Sequence, residues 1–164
     1  MNRRNVLLKG FALIGFCLAT ALPWIANAQT NQLIGIWKLN LEKSKFSPGP
    51  APRSQTLSFT ADGANLTNTA DSIDAQGQAT KTVFLHIYDG KPHAATGAAG
   101  GLFDSTTYTR TDDRTVNWVR SKDGKSVQTG SNVLSADGKT FTVTTDGAGP
   151  DGKPVHNVAV YEKQ

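Results

Sequence analysis

The chain has 164 residues, with 17 Lys or Arg, 13 Asp or Glu, a formal net charge of +4 and one Cys. A single cysteine excludes an internal disulfide framework, and the length suits one domain with a substantial core. The fold must therefore be stabilised by the burial of side chains, without covalent cross-links.

The N-terminal segment, residues 1–28, has the three parts of a secretory signal peptide. A basic region with Arg3-Arg4 precedes a mostly apolar stretch over 6–25, and Ala26-Asn27-Ala28 offers an A-x-A cleavage site. Pro23 and the cleavage site argue against a retained membrane-spanning helix. The sequence predicts export by the Sec or the twin-arginine route, and a periplasmic or secreted protein with no membrane anchor after cleavage.

Cleavage changes the charge of the remaining domain, residues 29–164. Three of the 17 basic residues, Arg3, Arg4 and Lys9, leave with the signal, so 14 remain against 13 acidic residues, a net charge of +1. Cys17 leaves as well, which removes the only thiol. A near-neutral surface lacks the basic stripe of a nucleic-acid-binding protein, so no nucleic-acid partner is expected.

The domain alternates between short strand-like runs and tight turns. Period-two alternation in Thr- and Val-rich segments predicts eight or nine strands, over residues 34–41, 55–60, 65–73, 81–88, 103–110, 114–121, 126–134, 139–145 and 155–162. Asp-Gly-Lys occurs four times, beginning at Asp89, Asp123, Asp137 and Asp151. Asp-Gly suits hairpin turns, and one carboxylate beside a lysine does not make a calcium loop.

This order of strands predicts an all-β fold: a single antiparallel up-and-down barrel, because closure removes the exposed sheet edges. A β-sandwich is the alternative, although its crossovers are longer than most of these connections. Two connections are long, residues 42–53 and 93–101. We expect Phe46, in the proline-rich first loop, to plug one barrel end, and the second loop, built of small residues, to form a mobile rim.

Gly35-Ile36-Trp37, at the start of the first predicted strand, carries the G-x-W motif and resembles the lipocalins and the wider calycin group. The resemblance implies a ligand-holding barrel in which Gly35 and Trp37 are structural and the tryptophan packs across the closed end. Lipocalins place an arginine from the last strand against this tryptophan. Here only Lys163 or Tyr161 could take that position.

A second resemblance covers nearly all of residues 29–164. The chain is similar to a set of small exported bacterial proteins that share Trp37-Lys38-Leu39-Asn40, the segment 43–50, Tyr88-Asp89-Gly90-Lys91, a Ser-x-Asp-Gly-Lys turn and a terminal Asn157-Val158-Ala159-Val160-Tyr161. This resemblance supports the fold and the compartment, and it implies no activity.

The strongest candidate site is aromatic. Within each of three predicted strands, an aromatic residue shares a face with a residue that can form polar contacts: Phe84, His86 and Tyr88; Tyr108 and Arg110; Trp118 and Arg120. If these faces point inward, they form an apolar pocket with a few polar groups, and the arginines could meet a carboxylate. If Val83, Leu85 and Ile87 point inward instead, the aromatic residues lie outside, because a one-residue register change inverts every face.

Catalytic and metal-binding patterns are weak in this domain. His86, His93 and His156 are not at a metal-ligand spacing, no G-x-S-x-G elbow exists, and adjacent Asp112-Asp113 is expected in a solvated turn. We predict no catalytic residues, no metal site and no cofactor.

Three functions stay open at this stage. The first is a lipocalin-like barrel that binds a small hydrophobic or amphipathic ligand and is not an enzyme. The second is a ligandless module that contributes stability or interacts with a protein partner, whose identity the sequence does not indicate. The third, and least favoured, is a cofactor-free barrel enzyme. A filled interior would favour the module, and a polar cavity holding His86 with Asp or Arg would favour the enzyme.

Overall fold

The computed structural model describes residues 32–97 and 101–164, which form strands joined by short turns. The predicted signal peptide, residues 1–28, lies outside the described residues. The strands are β1 (Gly35–Leu39), β2 (Lys45–Ser47), β3 (Ser54–Asp62), β4 (Asn65–Ile73), β5 (Ala79–His86), β6 (Pro92–Ala94), β7 (Thr96–Gly97), β8 (Ser105–Arg110), β9 (Thr115–Lys122), β10 (Lys125–Leu134), β11 (Thr140–Ala148) and β12 (Pro154–Lys163).

The strands form one antiparallel sheet that curls into a nearly closed barrel. Eleven strands follow one path, in the order β6-β8-β9-β10-β11-β12-β1-β3-β4-β5-β7, and β2 pairs with β12 off this path. The first strand pairs with the last, Trp37 opposite Lys163. The seam lies where β6 pairs with β8 while β7, two residues further on, pairs with β5. The prediction of an all-β antiparallel barrel is confirmed.

The predicted number of strands, eight or nine, is wrong, since the sheet path holds about eleven. The additional strands are short and lie in the two segments predicted as long loops. β2 lies within 42–53, β6 begins one residue before the second segment and β7 lies within it, so residues 93–97 are held at the barrel seam and are not a free rim loop. Strands of two or three residues are too short to show alternation, and their pairing is imposed by neighbouring strands.

The Asp-Gly turns act as the sequence indicates. In the β9–β10 hairpin, Lys122 pairs with Lys125, so Asp123 and Gly124 alone make the turn. Both have positive φ, 51° and 75°, as a two-residue type I′ turn requires. Such turns place consecutive strands side by side, which gives the up-and-down order of the barrel.

Strand β5 shows which face of the wall points inward. Phe84 is 7% exposed and His86 is 2% exposed, whereas Leu85 between them is 38% exposed. The even-numbered residues of β5 therefore face the interior, because successive side chains point to opposite faces. The face that carries the predicted aromatic residues is the inner one.

The densest part of the core lies at the end of the barrel where β1 begins and β12 ends. We call this group the Trp37 cluster, and each member is no more than 2% exposed: Leu33, Trp37, Phe59, Leu66, Leu134 and Phe141. The Phe141 ring lies 5.7 Å from Trp37 and 5.6 Å from Phe59, centroid to centroid. Edge and tilted contacts of this kind add to the burial energy of the rings. This end of the barrel is filled by side chains.

Candidate functional site

An interior cavity of about 270 Å³ lies next to the Trp37 cluster and shares Phe141 with it. Its walls come from inward positions on β3, β4, β5 and on β8 to β12, with Phe46, Leu102 and Phe103 contributed by segments outside those strands. Phe46 is partly buried and packs against the core, which agrees with its expected position at a barrel end. The polar lining consists of Gln55, Asn68, Thr82, His86, Tyr108, Trp118, Arg120, Gln128, Asn132, Thr145, Asn157 and Tyr161.

Arg120 is the cation of this cavity. Its guanidinium carbon lies 4.3 Å from the Trp118 ring centroid, 4.6 Å from that of Phe103 and 5.1 Å from that of Phe84. Its Nη1 donates a hydrogen bond of 3.0 Å to Gln128 Oε1. The side chain is shielded enough that burial lowers its pKa, although the arginine remains a cation at any ordinary pH. Aromatic rings therefore cover the guanidinium, and one amide oxygen accepts from it.

His86 lies deeper in the same cavity. Its ring stacks on Tyr108 with centroids 4.2 Å apart and meets the edge of Phe59 at 5.3 Å. Burial, with a smaller contribution from the charge of Arg120, lowers the pKa of His86 to about 3. Near neutral pH the imidazole is therefore uncharged, with one ring nitrogen as donor and the other as acceptor.

Three side chains that line the cavity carry a buried polar atom without a hydrogen-bond partner among the described residues. They are Arg120 through Nε, Asn68 through Oδ1 and His86 through Nε2. An unsatisfied buried polar group costs about 1–3 kcal/mol. Such groups are uncommon, and here three of them occur around one space.

The remaining amides of the wall are partnered. Asn132 Oδ1 accepts from Trp118 Nε1 at 2.9 Å, and Gln128 Nε2 donates to the Ala148 carbonyl at 2.8 Å. Gln55 accepts a short hydrogen bond from the Tyr161 hydroxyl. These bonds fix the orientations of the side chains that surround Arg120 and Trp118.

Five of the seven residues predicted from sequence as ligand-binding line the cavity: Phe84, His86, Tyr108, Trp118 and Arg120. The other two do not line it. Tyr88 packs against a small cluster that contains Tyr108, and the Arg110 guanidinium carbon lies 4.3 Å above the Tyr88 ring. The structure thus brings together the predicted aromatic face, and the binding role of its members stays a prediction.

Sequence reasoning missed the amide lining. Asn68, Gln128 and Asn132 are each no more than 7% exposed and line the cavity. A signal was present for Asn68, because it shares a strand face with Leu66 and Ala70 in β4. Gly130 was missed too: an added Cβ would lie 2.3 Å from the Trp118 ring, so this glycine makes room for the indole.

Trp37 and its contacts lie at the end of the barrel where β1 begins and β12 ends. The indole is fully buried, and its Nε1 donates to the Leu33 carbonyl at 2.8 Å. Lys163 Nζ lies 5.2 Å from the Trp37 ring centroid, so a lysine of the last strand takes the position where the lipocalin resemblance places an arginine. Gly35 has φ of 126°, a backbone conformation that favours glycine.

The other two histidines lie on the outer surface, each beside a carboxylate. His93 Nε2 is 2.8 Å from Asp89 Oδ1, and His156 Nδ1 is 2.6 Å from Asp146 Oδ1. Ser47 is opposite His156 in the β2–β12 register, but no hydrogen bond joins the two side chains among the described contacts. The row of Ser47, His156 and Asp146 therefore lacks the connection that would activate the hydroxyl.

Residues 32–97 and 101–164 contain neither a metal-ligand cluster nor a helix that could span a membrane. Within that part of the chain, no group of three or more His, Cys, Asp or Glu is placed to hold a metal ion. No helix there is long and apolar enough to cross a membrane.

Comparison with known proteins gives a likeness of shape and no family. No protein-family profile matches the chain, and no curated protein matches it. The solved structure of a redesigned beta barrel, mFAP1, bound to DFHBI, is similar to 82% of this chain over 98% of its own length, with 13% sequence identity and a TM-score of 0.44. That barrel binds DFHBI; at this level of superposition the likeness carries no argument about a ligand of the present chain.

Proposed function

We propose that this protein is an exported barrel that binds a small hydrophobic or amphipathic molecule in its interior cavity. The observation that carries the proposal is the cavity of about 270 Å³ lined by aromatic rings and by three buried polar atoms without protein partners. Most ligand sites are apolar pockets with a few convergent polar groups. A binding function accounts for the cost of those polar atoms, because a ligand that pairs with them recovers it.

The same lining supports binding without catalysis. The cavity walls include no Asp or Glu among the described residues, so a carboxylate base is not available there. His86 has a pKa of about 3, far below the near-neutral value that suits a general base. The presence of His86 with Arg120 is the observation that favours the enzyme alternative, but neither group is set to move a proton near neutral pH.

The interaction module is the second candidate, supported by the outer surface of the first strand. Ile34 and Ile36 point away from the core and are 36% and 50% exposed, and Leu41, just after β1, is 44% exposed. Exposed apolar side chains close together can mark an interaction surface. This alternative needs no ligand in the cavity.

Native mass spectrometry of the protein, expressed with its N-terminal segment and purified from a bacterial periplasm, tests the proposal. We expect a chain that begins at Gln29 and carries a small adduct that is released on denaturation. Recovery in the periplasm also tests the proposed compartment. A protein without adduct, whose melting temperature no apolar or amphipathic compound in a metabolite panel raises, would contradict the binding function and favour the module.

A further inference from the structure

We propose that the ligand is a compact aromatic oxyanion, such as a ring carboxylate, whose acidic group meets Arg120 and whose opposite edge carries a hydroxyl or N–H group that meets His86 or Asn68. This proposal rests on the binding function above and specifies its ligand. It is carried by the charge balance of the cavity, the free edge of the guanidinium, the distance between the polar groups and the size of the space.

The charge balance calls for an anion. Among the described residues that line the cavity, Arg120 is the only Lys, Arg, Asp or Glu, and no described carboxylate lies within 4.0 Å of its nitrogen atoms. Arg120 as a whole is partly buried, but its Nε is shielded from solvent, and a charge that is shielded from water is normally paired. The stacked rings and the single Gln128 amide compensate only in part. An oxyanion would complete the pairing.

The contacts of Arg120 leave the edge of its guanidinium group open to a ligand acceptor. Rings of Trp118, Phe103 and Phe84 lie within 5.1 Å of the guanidinium carbon, and Nη1 already donates to Gln128. The Nε–H is buried without an acceptor among the described residues. An acceptor in the plane of the guanidinium, which is the geometry of a carboxylate oxygen, can satisfy it.

The unpartnered atoms of Asn68 and His86 favour a neutral polar group on the ligand. Asn68 Oδ1 and His86 Nε2 are both buried without partners, and His86 is uncharged. A carbonyl oxygen accepts only, and a neutral imidazole nitrogen accepts or donates according to its tautomer. A ligand hydroxyl or N–H satisfies either atom, whereas a second carboxylate would face the Asn68 oxygen without a donor.

The strand register gives the offset of His86 and Arg120 along the barrel, and this offset is comparable with the length of one aromatic ring. His86 stacks on Tyr108, which is opposite Trp118 in the β8–β9 register, and Arg120 is one inward position beyond Trp118. Two residues along a strand span about 6–7 Å. This is close to the distance between the substituents at opposite corners of a benzene ring.

The space itself favours a short, flat molecule. The cavity of about 270 Å³ falls just below the range of roughly 300–1,000 Å³ that is common for drug-sized ligands. Its walls include the stacked Phe84–Phe103 and His86–Tyr108 pairs. A ring can stack on these walls, while a long alkyl chain would not fit inside them.

Calorimetric titration with four probes tests the assignment: 4-hydroxybenzoate, its neutral counterpart 4-hydroxybenzamide, benzoate, and hexadecanoate. In the unaltered protein we expect 4-hydroxybenzoate to bind at least tenfold more tightly than each of the others. Arg120→Met should weaken 4-hydroxybenzoate by about 10- to 100-fold, the range for losing a charged hydrogen bond, and leave 4-hydroxybenzamide within about threefold.

Asn68→Leu supplies a second variant that keeps Arg120 in place. It should reduce the preference for 4-hydroxybenzoate over benzoate by about fivefold, the loss expected for one neutral hydrogen bond to the hydroxyl, while affinity for benzoate stays within about threefold. Thermal melting of each variant shows that it folds. Should Arg120→Met fail to fold, the Asn68→Leu comparison and the ratio of acid to amide in the unaltered protein still decide the question.

The outcomes separate this inference from the function on which it rests. Equal binding of the acid and the amide, or tighter binding of hexadecanoate than of 4-hydroxybenzoate, would overturn the ligand class and leave the binding function standing. An absence of heat with all four probes would overturn the ligand class, and an unshifted melting temperature with the broader metabolite panel would then overturn the binding function as well.

Discussion

The two halves of the barrel interior are built on opposite principles. Around Trp37 the core is apolar, dense and satisfied, since even the indole N–H donates to the Leu33 carbonyl. Around Arg120 the interior contains a charge, several amides and three polar atoms without partners. The two regions share β3, β4, β10 and β11, and along these strands the difference comes from the choice of inward-facing residues. The Trp37 cluster contributes stability, and the unsatisfied polar atoms around the cavity reduce it.

Replacing Trp37 by Ala is the strongest test of this division. The change empties the centre of the Trp37 cluster, and large-to-small changes of buried Trp cost about 3–5 kcal/mol. Chemical denaturation monitored by circular dichroism measures the loss in free energy of unfolding. Trp37→Phe is the control and should cost less, because it keeps a ring against Phe141. A loss below about 1 kcal/mol would show that this end does not carry the stability.

Gly130→Ala tests whether the wall of the cavity half is tightly built despite its empty space. The added Cβ would lie 2.0 Å from the Thr144 carbonyl oxygen and 2.3 Å from the Trp118 ring. Overpacking of this kind costs about 1–3 kcal/mol. Gly101→Ala is the matched control, since its Cβ would meet nothing within 4 Å. Equal melting temperatures for the two variants would mean that Trp118 moves freely.

The pH dependence of stability reports on the burial of His86. Its pKa falls to about 3 on folding, from about 6.5 in the unfolded chain, so the unfolded state binds the proton more tightly. The contribution of His86 to the free energy of unfolding is complete above pH 6.5. It is lost as the pH falls toward 3, at about 1.4 kcal/mol per pH unit. His86→Phe should flatten the slope of unfolding free energy between pH 6.5 and 5. Parallel slopes for the two proteins would show that His86 is protonated in the folded barrel.

Replacing either of two asparagines of the cavity wall by leucine compares an unpartnered amide with a partnered one, and the expected effects are the smallest of the four predictions. Asn68→Leu removes an unpartnered Oδ1 and should raise the free energy of unfolding by up to about 1 kcal/mol. Asn132→Leu removes the acceptor of Trp118 Nε1 and should lower it by at least a similar amount. Urea denaturation of both variants decides the matter. If Asn68→Leu is the more destabilising of the two, the Asn68 amide is not an unsatisfied group.

Much of the fold follows from the sequence by simple rules. The Asp-Gly turns and the alternation of the long strands predict an antiparallel barrel, which the structure has. The short strands β2, β6 and β7 do not follow, because their pairing is decided by the strands beside them and not by their own composition. The predicted count of strands fails for that reason.

The candidate site was predictable in part. The aromatic residues of β5, β8 and β9 share faces in the sequence, but parity alone does not say which face is inner; the exposure of Leu85 and the burial of Phe84 show it. Gln128 and Asn132 could not be recognised as interior, because a polar residue at an inward position weakens the alternation that identifies the strand. These two amides are thus the part of the lining that only the structure reveals.

The pairing of β1 with β12 also has a consequence for the order of folding. Nearly all other ladders join strands that follow one another along the chain, whereas Trp37 opposite Lys163 closes a loop that contains almost the whole domain. The entropy of closing a loop grows with its length, and proteins with such non-local pairings fold slowly. We therefore expect the local hairpins to form early, and the joining of the first and last strands to be the late, rate-limiting step.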